Sequence, residues 1–182
     1  MDLVPAVFLD RDGVLNGPIM RDGRPYAPAT VEELEIYPDA PASLQALKAA
    51  RFLLPVVTNQ PDVARGTQTL ANVEEINAHL ATELPLDGFY VCYHARDGLC
   101  TCRKPLPGLL LRAAHERGID LEHSFLIGDR WRDVDAGKAA GVRVAFIDRG
   151  YQERAPDHAP DIRVSSLRQA SDWILSYGRG PS

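Results

Sequence analysis

Apolar and polar positions alternate along this chain in blocks that switch between two periods. Val4 to Leu9 is a short apolar run that stops abruptly at Asp10, the signature of a buried strand that delivers a polar residue to its C-terminal edge. From Asp39 to Arg51 the apolar residues Ala42, Leu44, Leu47 and Ala50 recur at helical spacing, with Asp39 placed to cap the helix. Phe52 to Val57 then reads as a second buried strand. The same logic predicts a helix over Thr69 to Leu84, a strand over Gly88 to Tyr93, and a helix over Pro107 to Glu116 closed by Gly118. A strand over Ser124 to Ile127, a helix over Trp131 to Ala140 and a strand over Val142 to Ile147 follow, and Ser166 to Tyr177 reads as a final docking helix.

Strands alternating with helices imply right-handed crossovers and a parallel sheet covered on both faces, the doubly wound α/β architecture, whose ligands bind beyond the strand C-termini. Functional residues are therefore expected just after strands. With no internal repeat or linker, residues 1–182 read as one domain; Glu153 to Pro160, rich in proline and charge, reads as a surface loop.

Composition changes this picture little but excludes several classes. The 182 residues are 45% hydrophobic and 25% charged, ordinary for a globular chain and large enough to support one core without disulfides. A net charge of -5 without a basic stripe argues against nucleic acid as a partner. No apolar run approaches the roughly 20 residues needed to span a bilayer, and Met1 to Asp10 lacks the basic start and long apolar middle of a secretion signal. The expectation is a cytoplasmic monomer acting on a small molecule. All three cysteines, Cys92, Cys100 and Cys102, fall in one short segment, which points to a metal rather than a disulfide framework.

Asp10 and Asp12 present two carboxylates with Gly13 behind them. Held ionised, one can attack phosphorus; the other, its pKa raised by like charge, can protonate the leaving group and later activate water. A turn capped by two aspartates is the plainer alternative. Thr58, Asn59 and Gln60 follow the second strand with a hydroxyl and amides suited to phosphoryl oxygens. Arg103 and Lys104 offer cations, and Asp129 and Asp133 stand one helical turn apart after the fourth strand, able to face one cation. Magnesium prefers such oxygen ligands and bridges carboxylates to substrate phosphate, so Asp10, Asp129 and the Asp12 carbonyl form a candidate set. Cys92, His94, Cys100 and Cys102 match a tetrahedral Cys3His zinc site with no open position, hence a structural one that pins the loop 92–102 ahead of Arg103 and Lys104.

The segment Phe8-Leu9-Asp10-Arg11-Asp12-Gly13-Val14-Leu15-Asn16 closely resembles the first motif of haloacid-dehalogenase-type phosphatases, and the other three motifs follow in the family's order from Thr58 to Asp133. The resemblance implies Asp10 as nucleophile, Asp12 as acid/base, Thr58 and Lys104 as phosphoryl-stabilising groups, Asp129 as a magnesium ligand and Asp133 as a ligand or its support. It places Asn59, Gln60, Arg65, Arg103 and Arg130 near the substrate. The zinc loop resembles that of the D-glycero-D-manno-heptose-1,7-bisphosphate 7-phosphatases and of the related histidinol-phosphate phosphatases, a subfamily without a large cap domain. A sugar phosphate is therefore the expected substrate, with histidinol phosphate or another small phosphomonoester as the alternative, and a phosphotransferase or a non-catalytic zinc-stabilised binding protein as competing classes. Two departures stand out: Pro61-Asp62 replace the family's small residue and Gly, adding a carboxylate that would repel a second phosphate, and an extra stretch around Arg21-Asp22-Gly23-Arg24 lies in the Gly17 to Tyr37 loop.

Overall fold

The computed structural model describes residues 3–21, 24–96 and 100–177. Six strands form one sheet: β1 (Val4–Leu9), β4 (Val56–Asn59), β5 (Phe89–Cys92), β6 (Ile119–Gly128), β7 (Arg143–Ile147) and β8 (Ile162–Val164). Their order is β5-β4-β1-β6-β7-β8 and every pairing is parallel. The chain builds outward from β1 to one edge through β4 and β5, then crosses to the other side through β6, β7 and β8. The C-terminal end of β1 is thus the point where the winding reverses, where a doubly wound sheet opens a crevice. Leu9, the last residue of β1, is paired with both Val56 and Ile127, so Asp10 emerges between β4 and β6.

Burial on both faces explains why the inner runs of the central strands are apolar. Val7 and Leu9 of β1 enter one core and Ala6 and Phe8 the other; Phe125 and Ile127 of β6 join the first and Leu126 the second. The helices α1 (Ala40–Ala49), α3 (Leu70–Glu83) and α6 (Leu167–Tyr177) seal the first face through Leu44, Leu47, Ile76, Leu80 and Ile174. On the second, α4 (Gly108–Arg117) and α5 (Trp131–Ala140) place Leu109, Leu110, Val134 and Ala136. Each fully buried Leu or Ile contributes roughly 1.5–3 kcal/mol of transfer free energy, so the two layers lock the strand ends that carry the chemistry.

Gly118 ends α4 with φ +65°, as the sequence indicates, and Thr69 caps α3 by accepting from the Asn72 amide at 3.1 Å. Asp39 stands at the start of α1 but makes no side-chain cap; its carboxylate instead accepts from the Arg168 amide at 3.0 Å, docking α6. The second strand begins later than Phe52, at Val56, because Pro55 interrupts the run, and Leu53 forms only an isolated bridge to Ala6. Three short elements escape the periodicity: the hairpin β2–β3 (Ile19–Arg21 and Arg24–Tyr26), α2 (Asp62–Arg65) and β8. At three or four residues each, they are too short for a repeated period to show. Of the extra stretch expected around residues 21–24, Asp22 and Gly23 lie outside the described residues, as does Gly98 in the cysteine loop.

Candidate active site

A cavity of about 370 Å3 opens over the C-terminal ends of β1, β4 and β6. Asp10, Asp12, Thr58, Asn59, Gln60, Arg65, Arg103, Lys104, Asp129, Arg130 and Asp133 all line it. The residues expected from the sequence to handle phosphate, substrate and magnesium are therefore brought to one place.

At the floor, Lys104 is 2% exposed, and its ammonium spends its three donors on the Asp133 carboxylate (2.5 Å), the Val57 carbonyl (2.8 Å) and Asp10 Oδ1 (3.0 Å). Burial opposes a charge here, but the two aspartates outweigh it and hold Lys104 above its usual range. Asp133 is fully committed: its second oxygen accepts from the Arg130 amide at 3.0 Å, completing the cap of α5. Asp129 is different. Its Oδ1 is buried with no partner, one of two such side-chain atoms among the described residues. Its carboxylate also packs where a Gly13 side chain would stand; a β-carbon there would lie 1.8 Å from Oδ2, and Gly13 has φ +89°. Carboxylate oxygens of Asp10, Asp129 and Asp133 lie within 4.8 Å of one another. Asp10 and Asp129, the latter with an orphaned oxygen, fit a hard divalent cation, with the Asp133 charge beside them.

The electrostatics follow. Burial raises the Asp10 pKa to about 7, Asp133 and Asp12 push the same way, and Lys104 opposes. Asp129 is raised well above the carboxylate range by burial and then by Asp10. Asp12, which the sequence suggested would be the raised partner, is instead lowered: burial would raise it, but Arg11 and hydrogen bonds from Asn16 and Gln60 prevail. The reason is tertiary. Arg11 is fully buried and folds back onto its neighbour, with Nε 3.2 Å and Nη2 3.1 Å from the two Asp12 oxygens, while Nη1 donates to Asn77 of α3 at 3.0 Å.

The residues around the cavity are tied to each other more than the sequence suggests. Gln60 Nε2 reaches both Asp12 Oδ2 (2.8 Å) and Thr58 Oγ1 (3.0 Å). Asn59 spends its side-chain amide on the backbone of Lys104, accepting from its N–H at 3.1 Å and donating to its carbonyl at 3.0 Å. Asp62, whose carboxylate was expected to repel a second phosphate, pairs with Arg65 at 3.1 Å, so its charge is matched in place. Arg65 also donates to the Ala95 carbonyl and Arg103 to the His94 carbonyl. Tyr151, Glu153 and Arg149 had no sequence signal. Yet Arg149 donates to the Gly13 carbonyl at 3.0 Å, burial and then the neighbouring Asp129 carboxylate raise the Tyr151 hydroxyl pKa, and Glu153 forms a two-pronged pair with Arg130. The hairpin β2–β3 contributes Pro25 and Tyr26 to the rim.

Beside this cavity, the Sγ atoms of Cys92, Cys100 and Cys102 and a nitrogen of His94 converge within 4.8 Å of one another. Cys92 and Cys100 sulfurs are 3.8 Å apart and Cys102 and Cys100 3.3 Å, too far for a disulfide bond of about 2 Å and suited to a shared metal. Burial pushes the Cys92 thiol up to about 12. The Cys92 carbonyl accepts from the Gln60 amide at 2.7 Å and the Cys100 sulfur from the Arg103 amide at 3.4 Å, so the cluster is linked to the cavity floor from both ends.

Residues 101–170 match the family model described as HAD-hydrolase-like. The chain is 35% identical over 175 residues to the D-glycero-beta-D-manno-heptose-1,7-bisphosphate 7-phosphatase of Helicobacter pylori (strain J99), covering 93% of this chain and 96% of that one. It is 33% identical to the enzyme of the same name from Escherichia coli (strain K12), covering 95% and 89%. The crystal structure of D,D-heptose 1,7-bisphosphate phosphatase from B. bronchiseptica, complexed with magnesium and phosphate, superposes with a TM-score of 0.78 at 27% identity, covering 97% of this chain and 99% of that one.

Proposed function

Because the chain belongs to the haloacid-dehalogenase-like phosphatases, in the group that includes the heptose-1,7-bisphosphate 7-phosphatases, we propose that it hydrolyses the 7-phosphate of D-glycero-D-manno-heptose 1,7-bisphosphate through an aspartyl-phosphate. The observation that carries this reading is the buried Lys104 ammonium bridging Asp10 and Asp133, with the unpartnered Asp129 oxygen beside them.

In this mechanism a carboxylate oxygen of Asp10 bonds to phosphorus as the bond from phosphorus to the sugar oxygen breaks, and Asp12 gives its proton to that oxygen. Asp12 then takes a proton from water, which attacks the aspartyl-phosphate and releases inorganic phosphate, restoring Asp10. The Arg11 contact favours ionised Asp12, which suits the second step; the incoming phosphate dianion raises its proton affinity for the first. Lys104 and the Thr58 hydroxyl stabilise the transferring group. Magnesium, held by Asp10, Asp129 and the Asp12 carbonyl, would supply charge neutralisation on the phosphoryl oxygens. Asp133, with both oxygens engaged, supports Lys104 and the loop rather than ligating directly. Arg65, Arg103 and Arg130 stand at the sugar side, while Asn59 acts through Lys104. Zinc would be bound by Cys92, His94, Cys100 and Cys102 as a structural ion, in one folding unit with the rest of the chain.

The test is phosphate release with magnesium from heptose 1,7-bisphosphate, other sugar phosphates, histidinol phosphate and nucleotides. A preference for the heptose bisphosphate supports the proposal. Preference for histidinol phosphate would keep the chemistry and replace the substrate, and no release from any would reject the phosphatase reading.

Cation binding should depend on pH with a defined sign. Asp10, raised to about 7, carries a proton in the metal-free protein at pH 6 and is ionised at pH 8. A carboxylate whose folded pKa is raised contributes stability below its unfolded value of 3.8 that is lost as pH rises through 7. Magnesium offsets that loss and need displace no proton from Asp10 above pH 7. The rise in melting temperature produced by a fixed magnesium concentration should therefore be larger at pH 8 than at pH 6; an equal rise would contradict the buried-carboxylate site.

Metal analysis of the purified protein should find about one zinc per chain, lost in Cys102→Ser. Since the Arg103 amide leans on the Cys100 sulfur, that variant should also bind inorganic phosphate more weakly. Zinc-free wild-type protein of unchanged stability would end the assignment.

A further inference from the structure

Arg130 and Glu153 both line the catalytic cavity, and they face each other in a fork-to-fork pair, Nε to Oε2 at 2.7 Å with Nη2 against Oε1. A carboxylate bound this way occupies the same two guanidinium donors that would otherwise grip two oxygens of a phosphate. The pair is not sealed in: the side chains keep 37% and 25% of their exposure, so an anion entering the cavity can compete for the arginine.

The surroundings favour exchange. Arg130 pivots from a fixed base, since its amide is held by Asp133 at 3.0 Å, and its guanidinium lies 5.2 Å from the centre of the Tyr151 ring, a contact that does not depend on Glu153. Glu153 sits in the irregular stretch between β7 and β8, tethered upstream by Arg149 on the Gly13 carbonyl and downstream by Asp157 and His158, whose amides bind the buried Asp135 at 2.9 and 3.1 Å. It lies between two anchors and is free of regular structure itself. Taking Glu153 off Arg130 also changes the balance of the rim. Asp62 is matched by Arg65, so Arg130 would then face the cavity with only Asp129 and Asp133 as counter-charges, and both of these are shared with Lys104.

We propose that Glu153 is a specificity-determining residue: an internal counter-ion that Arg130 exchanges for an anionic group on the substrate remote from the scissile phosphate. This rests on the sugar-bisphosphate reading and deepens it. A substrate with a second phosphate compensates for displacing Glu153 by taking over the arginine fork, whereas a monophosphate leaves the pair closed and gains nothing from it. Discrimination would then be what the arginine fork gains on the second phosphate, less the cost of opening one ion pair, so Glu153 sets how strongly the second phosphate counts.

The experiment compares kcat/KM for heptose 1,7-bisphosphate with that for heptose 7-phosphate in wild type, Glu153→Gln, Arg130→Ala and the double variant. An exposed ion pair of this kind is worth up to about fivefold in an equilibrium. Glu153→Gln should raise the bisphosphate-to-monophosphate ratio by up to about that factor, Arg130→Ala should lower it, and in the Arg130→Ala background Glu153→Gln should add nothing. A ratio that is unchanged or falls in Glu153→Gln would overturn the proposal and make Glu153 a support for Arg130. Wild-type protein that releases phosphate from neither sugar would instead reject the phosphatase reading beneath it.

Discussion

Asp10→Asn should lower kcat by about 10^4-fold or more while leaving the fold in place. The amide is nearly the same size and keeps a carbonyl oxygen near the Lys104 ammonium, but it cannot form the aspartyl-phosphate. Its effect on stability should have the opposite sign to that of most buried substitutions. Asp10 is 8% exposed and shares the floor with Asp133, Asp129 and Asp12, which is why its carboxyl is raised to about 7. Above that pH the ionised group is a net cost to the metal-free fold, and the neutral amide removes it. Thermal melts at pH 8 without magnesium should show a midpoint at or above that of wild type, and single-turnover assays should show no phosphate release. Near-normal turnover would discard the covalent mechanism; a collapse of the melting temperature would mean that Asp10 is held by attractions stronger than the repulsions around it.

Lys104→Met should be the most destabilising single change in the site and should also abolish turnover. Methionine fills the same channel, yet it leaves Asp10, Asp133 and the Val57 carbonyl without their shared donor. Breaking a buried charge network from one side costs about 3–5 kcal/mol. The cost should be smaller at low pH, because Asp10 already binds a proton near pH 7 and loses the one neighbour that lowers its pKa, so it becomes neutral more readily. Urea unfolding at pH 6 and pH 8 measures this directly. A destabilisation below about 1 kcal/mol at both values would mean that the network is not coupled as the geometry indicates.

The contrast between Asp10 and Asp12 marks how far a sequence reading reaches. That two carboxylates follow β1 is evident from the apolar run and its abrupt end. Which of them is raised is not, since it depends on Arg11 turning back onto Asp12 and on Asn77, sixty-six positions away, receiving the other end of the guanidinium. The cysteine loop behaves similarly: the grouping of Cys92, His94, Cys100 and Cys102 is legible from spacing, while its links to Gln60 and Arg103 are made by backbone groups that carry no residue identity. Glu153 and Tyr151 were read as part of a polar surface stretch or not at all, because nothing local distinguishes a carboxylate facing water from one facing Arg130.

The sequence by itself determined the winding and the residue types that converge. Alternating periods dictate parallel strands with helices on both faces, and parallel winding sends every strand end to one edge, so residues after β1, β4 and β6 must meet there. Only the tertiary structure decided the charge state and freedom of those residues. Proton affinity and ion pairing depend on distances of 3 to 4 Å between groups far apart in the chain, and such distances are set by how the layers pack rather than by any local pattern.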